Sequence, residues 1–359
     1  MRLSTIVTLL FLLIANSTFA SADSTRIIAY PKHVHFYTKL GPTFSQVEIQ
    51  NPDLKDGLLF EPNYGSVLGF GFSYSWFGLD FSVNIPTDEE TNQKFGKTQK
   101  FDLEMHYTLR RLMVDITLKQ YKGFHISNPE EYIDGWNENT DSYPKIPDME
   151  TATMGASFAY ILSPDKFSSN AAYKFTQSMR RSGGSIILGG FVSLNAMEAD
   201  SSIVPSSLKQ YIDPKLDLKS VAFFNYGISV GYSYLLAIRK KNFVSFTIYP
   251  GLAFQKVYQQ SSIDGSVTVN NDLALRSIYR LSAGRNGDKY YWGVDAYIES
   301  VFINHKSTDL FLNSGHVAIF IGYRLDTSNW RFMKKADRIL HPRFLRFMVG
   351  NPPNRENVN

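Results

Sequence analysis

The chain has 359 residues, with 37 Lys and Arg against 33 Asp and Glu, and carries a net charge of +4 at pH 7. It contains no cysteine, which excludes a disulfide framework, a thiolate nucleophile and a cysteine-based metal site. Charge this dilute does not argue for nucleic acid, and no run of eighteen apolar residues exists to make a membrane-spanning helix. The aromatic fraction of 14%, from 27 Phe and 21 Tyr, suits a chain built mostly of strands.

In chain order, residues 1–22 read as an export signal. Arg2 supplies the positive start, Ile6 to Ala15 the apolar stretch, and Ala20-Ser21-Ala22 the cleavage pattern, so the mature chain is expected to begin near Asp23. The stretch is too short for a bilayer anchor. From residue 23 to 325 the dominant period is two. In the segment from Leu68 to Trp76 every even position is large and apolar or aromatic, and every odd one is Gly or Ser. A strand sends those two sets to opposite faces. The same alternation recurs over Leu79–Ile85, Phe101–Leu109, Phe224–Tyr234 and Val317–Tyr323.

Twelve spans are predicted, near 33–42, 66–77, 79–86, 99–110, 112–124, 149–162, 184–195, 221–235, 243–256, 272–284, 289–302 and 315–325. Their length of about ten residues is what a tilted strand needs to cross a membrane. Aromatic residues collect at strand ends, as in Tyr74, Trp76 and Phe77, or Tyr290 and Trp292. Tight turns expected at Phe77-Gly78, Arg110-Arg111, Arg239–Asn242 and Asn286-Gly287 alternate with long polar loops at 86–98, 127–148, 197–219 and 258–271. That asymmetry belongs to outer-membrane barrels rather than soluble sandwiches. The fold class read from the sequence is therefore all-β, a transmembrane antiparallel up-and-down barrel of about 12 strands, with 14 as the alternative. A weaker piece, Ser168 to Ser178, would break the parity if it crossed. Lys166, Lys174, Arg180 and Arg181 in and around it place 163–183 outside the membrane on the periplasmic side. Residues 326–359 read as a basic amphipathic periplasmic tail. From Trp330 to Phe347 it mixes aromatic and aliphatic groups with six cations in the manner of an interfacial helix, divided by Pro342.

The chain also resembles the domain-of-unknown-function family numbered 4421, a family of exported Gram-negative proteins. The resembling stretches are Leu68 to Phe81, Gln120-Tyr121-Lys122-Gly123-Phe124, Arg180-Arg181-Ser182-Gly183-Gly184-Ser185, Asp200-Ser201-Ser202-Ile203-Val204-Pro205 and Pro250-Gly251, spread from about residue 30 to Leu325. The resemblance implies a barrel in the cell outer membrane and brings no catalytic signature or site residue. Tyr323-Arg324-Leu325 is similar to the ending of a terminal barrel strand, yet 34 residues follow it here.

Candidate chemistry sits on the inward face. A two-residue turn at Arg110-Arg111 sets Asp102 opposite Lys119 and His106 opposite Asp115, with Glu104 on the same face. An Asn286-Gly287 turn would set Arg276 opposite Tyr297 and diagonal to Asp295 and Glu299, with Arg280 diagonal to Asp295. Lys39, Asp80 and Arg324 complete the expected lumen lining. Paired charges of this kind either fill a narrow barrel or select small solutes. Small residues at Gly155, Ser157 and Ala159, and at Gly227, Ser229 and Gly231, either leave space or accommodate Tyr121, Tyr249, Tyr291 and Tyr297.

No catalytic or metal residue is expected, and no cofactor is implied. His33 and His35 share a strand face but read as solvated rather than as a metal clip. Asn304-His305-Lys306-Ser307 is the nearest approach to a lipid-hydrolase site, without a recognisable triad. Loop 127–148, with Glu130, Glu131, Asp134, Glu138, Asp141 and Asp148 against Lys145, lacks calcium-loop spacing and reads as a solvated outer loop. The function expected is a structural or interaction barrel with a largely filled lumen. A narrow pore or transporter for small polar solutes is the alternative, and an outer-membrane lipid-modifying enzyme a more remote one. Its partners would be outer-membrane lipid and the barrel-assembly machinery, with no nucleic acid and a solute, if any, unknown.

Overall fold

The computed structural model describes residues 26–50, 57–63, 65–206, 209, 217–239, 241–305, 308–341 and 343. The expected export signal, Lys306, Ser307, Pro342 and the tail from 344 lie outside the described residues, as do the side chains of His106 and of 303–309. Fifteen strands form: β1 (Ile27–Ala29), β2 (His33–Gln50), β3 (Leu58–Pro62), β4 (Ser66–Tyr74), β5 (Phe77–Asn84), β6 (Gln99–Thr108), β7 (Leu112–Ile126), β8 (Lys145–Ile161), β9 (Gln177–Met179), β10 (Gly183–Glu198), β11 (Leu218–Ile238), β12 (Asn242–Ser261), β13 (Val267–Asn286), β14 (Tyr290–His305) and β15 (Thr308–Asp326). Two helices join them, α1 (Glu89–Phe95) and α2 (Arg331–Leu340).

Twelve of these strands pair antiparallel in chain order, from β2 through β4–β8 and β10–β15, and β15 closes back onto β2 through Leu325↔Val34 to Asp309↔Gln50. The result is an up-and-down transmembrane barrel. The period-two pattern produces it directly. On β11 Phe224, Tyr226, Ile228, Val230 and Tyr232 are exposed outward, whereas Phe223, Asn225, Ser229, Ser233 and Leu235 are buried inside. Phe36, Phe70, Phe81, Phe158, Phe254 and Ile319 continue the exposed apolar belt round the wall. An apolar exterior around a partly polar interior is stable in lipid and not in water.

The strands are longer than the predicted spans. β11, β12 and β13 run 21, 20 and 20 residues. At about 3.3 Å per residue and roughly 45° of tilt, twenty residues rise about 45 Å, against a hydrocarbon core of about 30 Å. The loop predicted over 258–271 is correspondingly shorter, since β12 runs to Ser261 and β13 begins at Val267.

Three short strands, β1, β3 and β9, correspond to none of the predicted spans. β3 inserts between the loop-end halves of β2 (Val47↔Phe60) and β7 (Phe60↔Ile126), while the shorter β4, β5 and β6 occupy the same interval nearer the turns. The wall is thus ten strands round at the loop end and twelve at the turn end. β7 accommodates the change at Gly123, which adopts φ +93 where the register with β8 shifts between Lys122 and Phe124. A Cβ at Gly123 would overlap the Lys97 carbonyl.

The turn expected at Phe77-Gly78 lies instead at Ser75-Trp76, with Ser75 at φ 58 and Gly78 paired inside the sheet with Ser73. A non-glycine residue holds this left-handed position because α2 braces it. Trp76 Nε1 donates to the Leu340 carbonyl at 2.6 Å, and Ser75 Oγ lies 3.0 Å from His341 Nε2.

Candidate functional site

The lumen is built in three tiers. At the turn end, residues 163–182 do not cross the wall, as expected, but neither do they hang free of it. They fold back into the mouth. A π-helical turn over Asn170–Lys174 buries Ala171 and Ala172, Phe167 is fully buried, and β9 pairs with β1. Phe175, left-handed at φ 57, stacks on Phe320 at 4.5 Å and on Tyr291 at 5.0 Å. Arg324, expected to line the lumen, is instead 1% exposed beneath this plug. Its Nε donates to the Phe175 carbonyl at 3.2 Å, other guanidinium nitrogens donate to Gly287 O and Asn286 Oδ1, and the group lies over Tyr30 at 4.0 Å and Tyr291 at 4.8 Å. Carbonyl dipoles and ring faces, rather than a carboxylate, compensate its charge. His35 is likewise fully buried, against Tyr30 and Tyr291, where a solvated pair with His33 was expected.

The middle tier holds the ions. Asp80 receives Lys174 Nζ from the plug at 3.2 Å and Lys39 Nζ at 3.8 Å, and Tyr37 donates its hydroxyl to the same carboxylate. The first predicted register holds: Asp102 pairs with Lys119 and His106 with Asp115 in the backbone ladder. The side chains then choose diagonally. Lys119 Nζ meets Glu104 at 3.2 Å, and Asp102 accepts from the Tyr121 hydroxyl at 2.7 Å.

The second predicted register is overturned. β13 and β14 are joined through Gly287-Asp288-Lys289, so Arg276 faces Val301 and Arg280 faces Tyr297. Asn286 remains a strand residue because its amide is used elsewhere: it accepts from Arg324 and donates to Gln177 O at 2.9 Å. Arg276 Nε donates to Glu299 at 2.7 Å, whereas Arg280 reaches across the lumen to Asp115 at 2.9 Å, and Asp295 pairs with His316 at 2.8 Å. Between these groups and the hydroxyls and amides of Thr153, Ser193 and Asn195 lies a cavity of about 210 Å³. The small residues mostly make room for rings. A Cβ at Gly71 would overlap Tyr37, one at Gly322 would overlap Tyr291, and one at Gly189 would overlap Tyr249, while one at Gly155 would make ordinary contact with Ser193.

The third tier, toward the loops, is apolar. Val47, Ile49, Phe60, Phe124, Ile126, Met197, Phe223 and Val257 form one buried cluster inside the narrowed wall. Ile203 and Val204 fold down into it. Their segment is pinned at Asp217, which accepts from Ser202 Oγ at 2.6 Å and pairs with Lys209 at 2.7 Å. Burial would raise the Asp217 carboxyl, but these bonds hold it below the usual carboxylate range. Loop 127–144 and α1 cap this end. Phe95, Tyr143 and Trp136 pack with ring centroids 4.8 and 4.9 Å apart, and His125 sits against Phe95 at 5.1 Å. Glu130, Glu131, Asp134, Glu138 and Asp141 remain exposed above them, as read from the sequence. Among the described residues no three His, Asp or Glu side chains gather as a metal site.

Sequence reasoning missed Lys174, Tyr173 and Phe175. Their signal was present in Asn170-Ala-Ala-Tyr-Lys-Phe, where small residues precede two rings and a cation. In sequence the cation argues against the interior, whereas in the fold it is the counter-ion of Asp80.

The sequence family described as Domain of unknown function (DUF4421) matches residues 21–325. No curated protein matches the chain. Among solved structures, the outer membrane protease OmpT from Escherichia coli is similar at 7% identity and a TM-score of 0.38, covering 83% of this chain and 98% of that one. The translocator domain of the autotransporter NalP from Neisseria meningitidis gives 9% identity and a TM-score of 0.33, with 89% and 96% covered. The TodX monoaromatic hydrocarbon channel gives 7% and 0.30, with 82% and 91% covered. At such values nothing about activity passes from them to this chain.

Proposed function

The chain belongs to the DUF4421 family, and from the geometry of its barrel we propose a non-conducting protein of the Gram-negative outer membrane that presents an ordered acidic cap to an outside partner. The observation that carries this reading is a lumen filled from both ends. The 163–182 plug occupies the turn end, and the cluster around Phe60, Phe223 and Ile203 occupies the loop end. The loops support it too, since α1 and 127–144 are held by packed rings instead of trailing in solvent. In this reading the export signal delivers the chain to the periplasm, the barrel-assembly machinery inserts it, and no catalytic step belongs to it. His125, near the loop end, is packed between the rings of Phe95 and Tyr143.

A second reading rests on the cavity. About 210 Å³ is room for several waters at roughly 30 Å³ each, or for one small polar solute. Transport would then require both ends to open. Planar-bilayer recording of the purified full chain separates the two. We expect no sustained conductance steps above baseline in molar salt; stable steps in most insertions would overturn the closed-barrel reading in favour of the pore.

A further inference from the structure

Helix α2 does not cover the barrel mouth. It lies against the outside of the wall. Val34 and Tyr74 occupy outward positions of β2 and β4, in line with the exposed Phe36 and Phe70, yet they are 5% and 2% exposed. What covers them is Met333, with Ala336 and Leu340 beside it. The Tyr74 hydroxyl donates to Asp337, so the helix's one carboxylate is spent on the wall. A flank about 100° round the helix from that contact carries Phe332 and Ile339, 65% and 66% exposed, and Trp330 packs on Phe332 at 5.3 Å. Around them Arg331, Lys334, Lys335 and Arg338 are all exposed.

A helix docked on the outer wall at the turn-end rim is continuous with the lipid-facing belt. Its position fixes what meets its free face: apolar groups reach the acyl boundary while the four cations stand at headgroup level. No acid of the helix itself is left to compensate them. We infer that α2, held by Tyr74 and Trp76, forms a binding site for anionic phospholipid headgroups at the turn-end rim of the barrel. The phosphate of such a lipid would sit among the cations, with its chains beside Phe332, Ile339 and the Phe36–Phe72 pair on the wall, whose rings are 5.8 Å apart. This goes beyond the closed-barrel reading and does not depend on it.

The test uses the full chain in zwitterionic detergent, titrated with phosphatidylglycerol or phosphatidylcholine carrying brominated acyl chains. Tryptophan quenching is followed, and Trp330→Phe identifies the share that comes from the helix. Each cation at a membrane surface contributes about 1 kcal/mol, roughly fivefold in affinity. We therefore expect half-quenching of the Trp330 signal at a phosphatidylglycerol concentration at least tenfold below that for phosphatidylcholine. The combined variant Arg331→Gln, Lys334→Gln, Lys335→Gln and Arg338→Gln should abolish that preference, with the folded barrel verified by its heat-modifiable gel mobility. Molar salt should erase the preference of the unaltered protein, which gives a readout independent of any variant. Equal half-quenching by the two lipids, or a preference that survives the fourfold substitution or the salt, would overturn the inference. So would a stronger preference for lipopolysaccharide, which belongs to the opposite leaflet.

Discussion

At the scale of single residues the lumen is an exercise in compensating charge. Asp80 has a side chain only 6% exposed and faces two ammonium groups, one from the wall and one from the plug. Removing a carboxylate from such a cluster leaves cations with little water to solvate them, a penalty of about 3–5 kcal/mol for a buried pair. Asp80→Leu should therefore lower the barrel's resistance to urea by several kcal/mol, and adding Lys174→Met should recover part of the loss. A double variant no more stable than the single one would show that Lys174 is freely hydrated. Residue-scale chemistry was only half legible in the sequence. Alternation and the short Arg110-Arg111 connection were enough to put Asp102 opposite Lys119. They could not show that Lys119 would lean to Glu104 while Asp102 takes Tyr121, since diagonal choices depend on side-chain reach. Asn286-Gly287 misled for a related reason: its amide is claimed by Arg324 and by the Gln177 carbonyl, a demand that comes from residues far away in the chain.

At the scale of elements the plug's entry into the lumen and the presence of β3 share a cause for having been missed. Each is stabilised by what it inserts between rather than by its own pattern. β3 offers five residues, Leu58–Pro62, too few to display a period. The plug offers Ala171 and Ala172 to a tight interior, and Phe175 to two rings. Its latch is Arg324, which satisfies the Phe175 carbonyl left free at the end of the π-helical turn. Hydrogen bonds to a charged group contribute roughly 1.5–3 kcal/mol each. Arg324→Met keeps the apolar stem and removes them, so the plug should open locally at a cost lower by about 2–4 kcal/mol. Hydrogen exchange over residues 167–179 should then speed up by roughly two orders of magnitude while β11–β13 keep their protection. Unchanged exchange in the plug would mean that Phe175 stacking alone holds it. Several of the stretches on which the sequence resembles the family fall on such joints. Gly123 sits at the β3 insertion, Arg180 to Ser185 at the exit of the plug, and Ile203-Val204 in the loop-end cluster.

At the scale of the whole molecule the two ends differ in charge. Asp88, Glu89, Glu90, Glu130, Glu131 and Glu138 are exposed at the loop end; Arg110, Lys166, Arg180, Arg181, Arg239 and Lys289 are exposed at the turn end, on the side where α2 docks. Twelve strands are an even number, so β2 starts and β15 finishes at the same end, together with the plug and the short connections after β4, β6, β11 and β13. In the proposed reading the chain enters the membrane from the periplasm and keeps both ends of its barrel there, so the acidic cap is expected to face outward. This orientation is directly measurable, because the natural sequence has no cysteine to interfere. Single variants Glu138→Cys in the cap, Arg239→Cys in a turn and Lys174→Cys in the plug can be treated on intact cells with a membrane-impermeant maleimide. Glu138→Cys should label at once, and Arg239→Cys only after the outer membrane is permeabilised. Lys174→Cys, buried beside Asp80, should resist even then until the protein is unfolded. Labelling of Arg239→Cys on intact cells would invert the barrel, and prompt labelling of Lys174→Cys from outside would mean that the loop-end cluster around Phe60 and Ile203 admits reagents the size of a small solute.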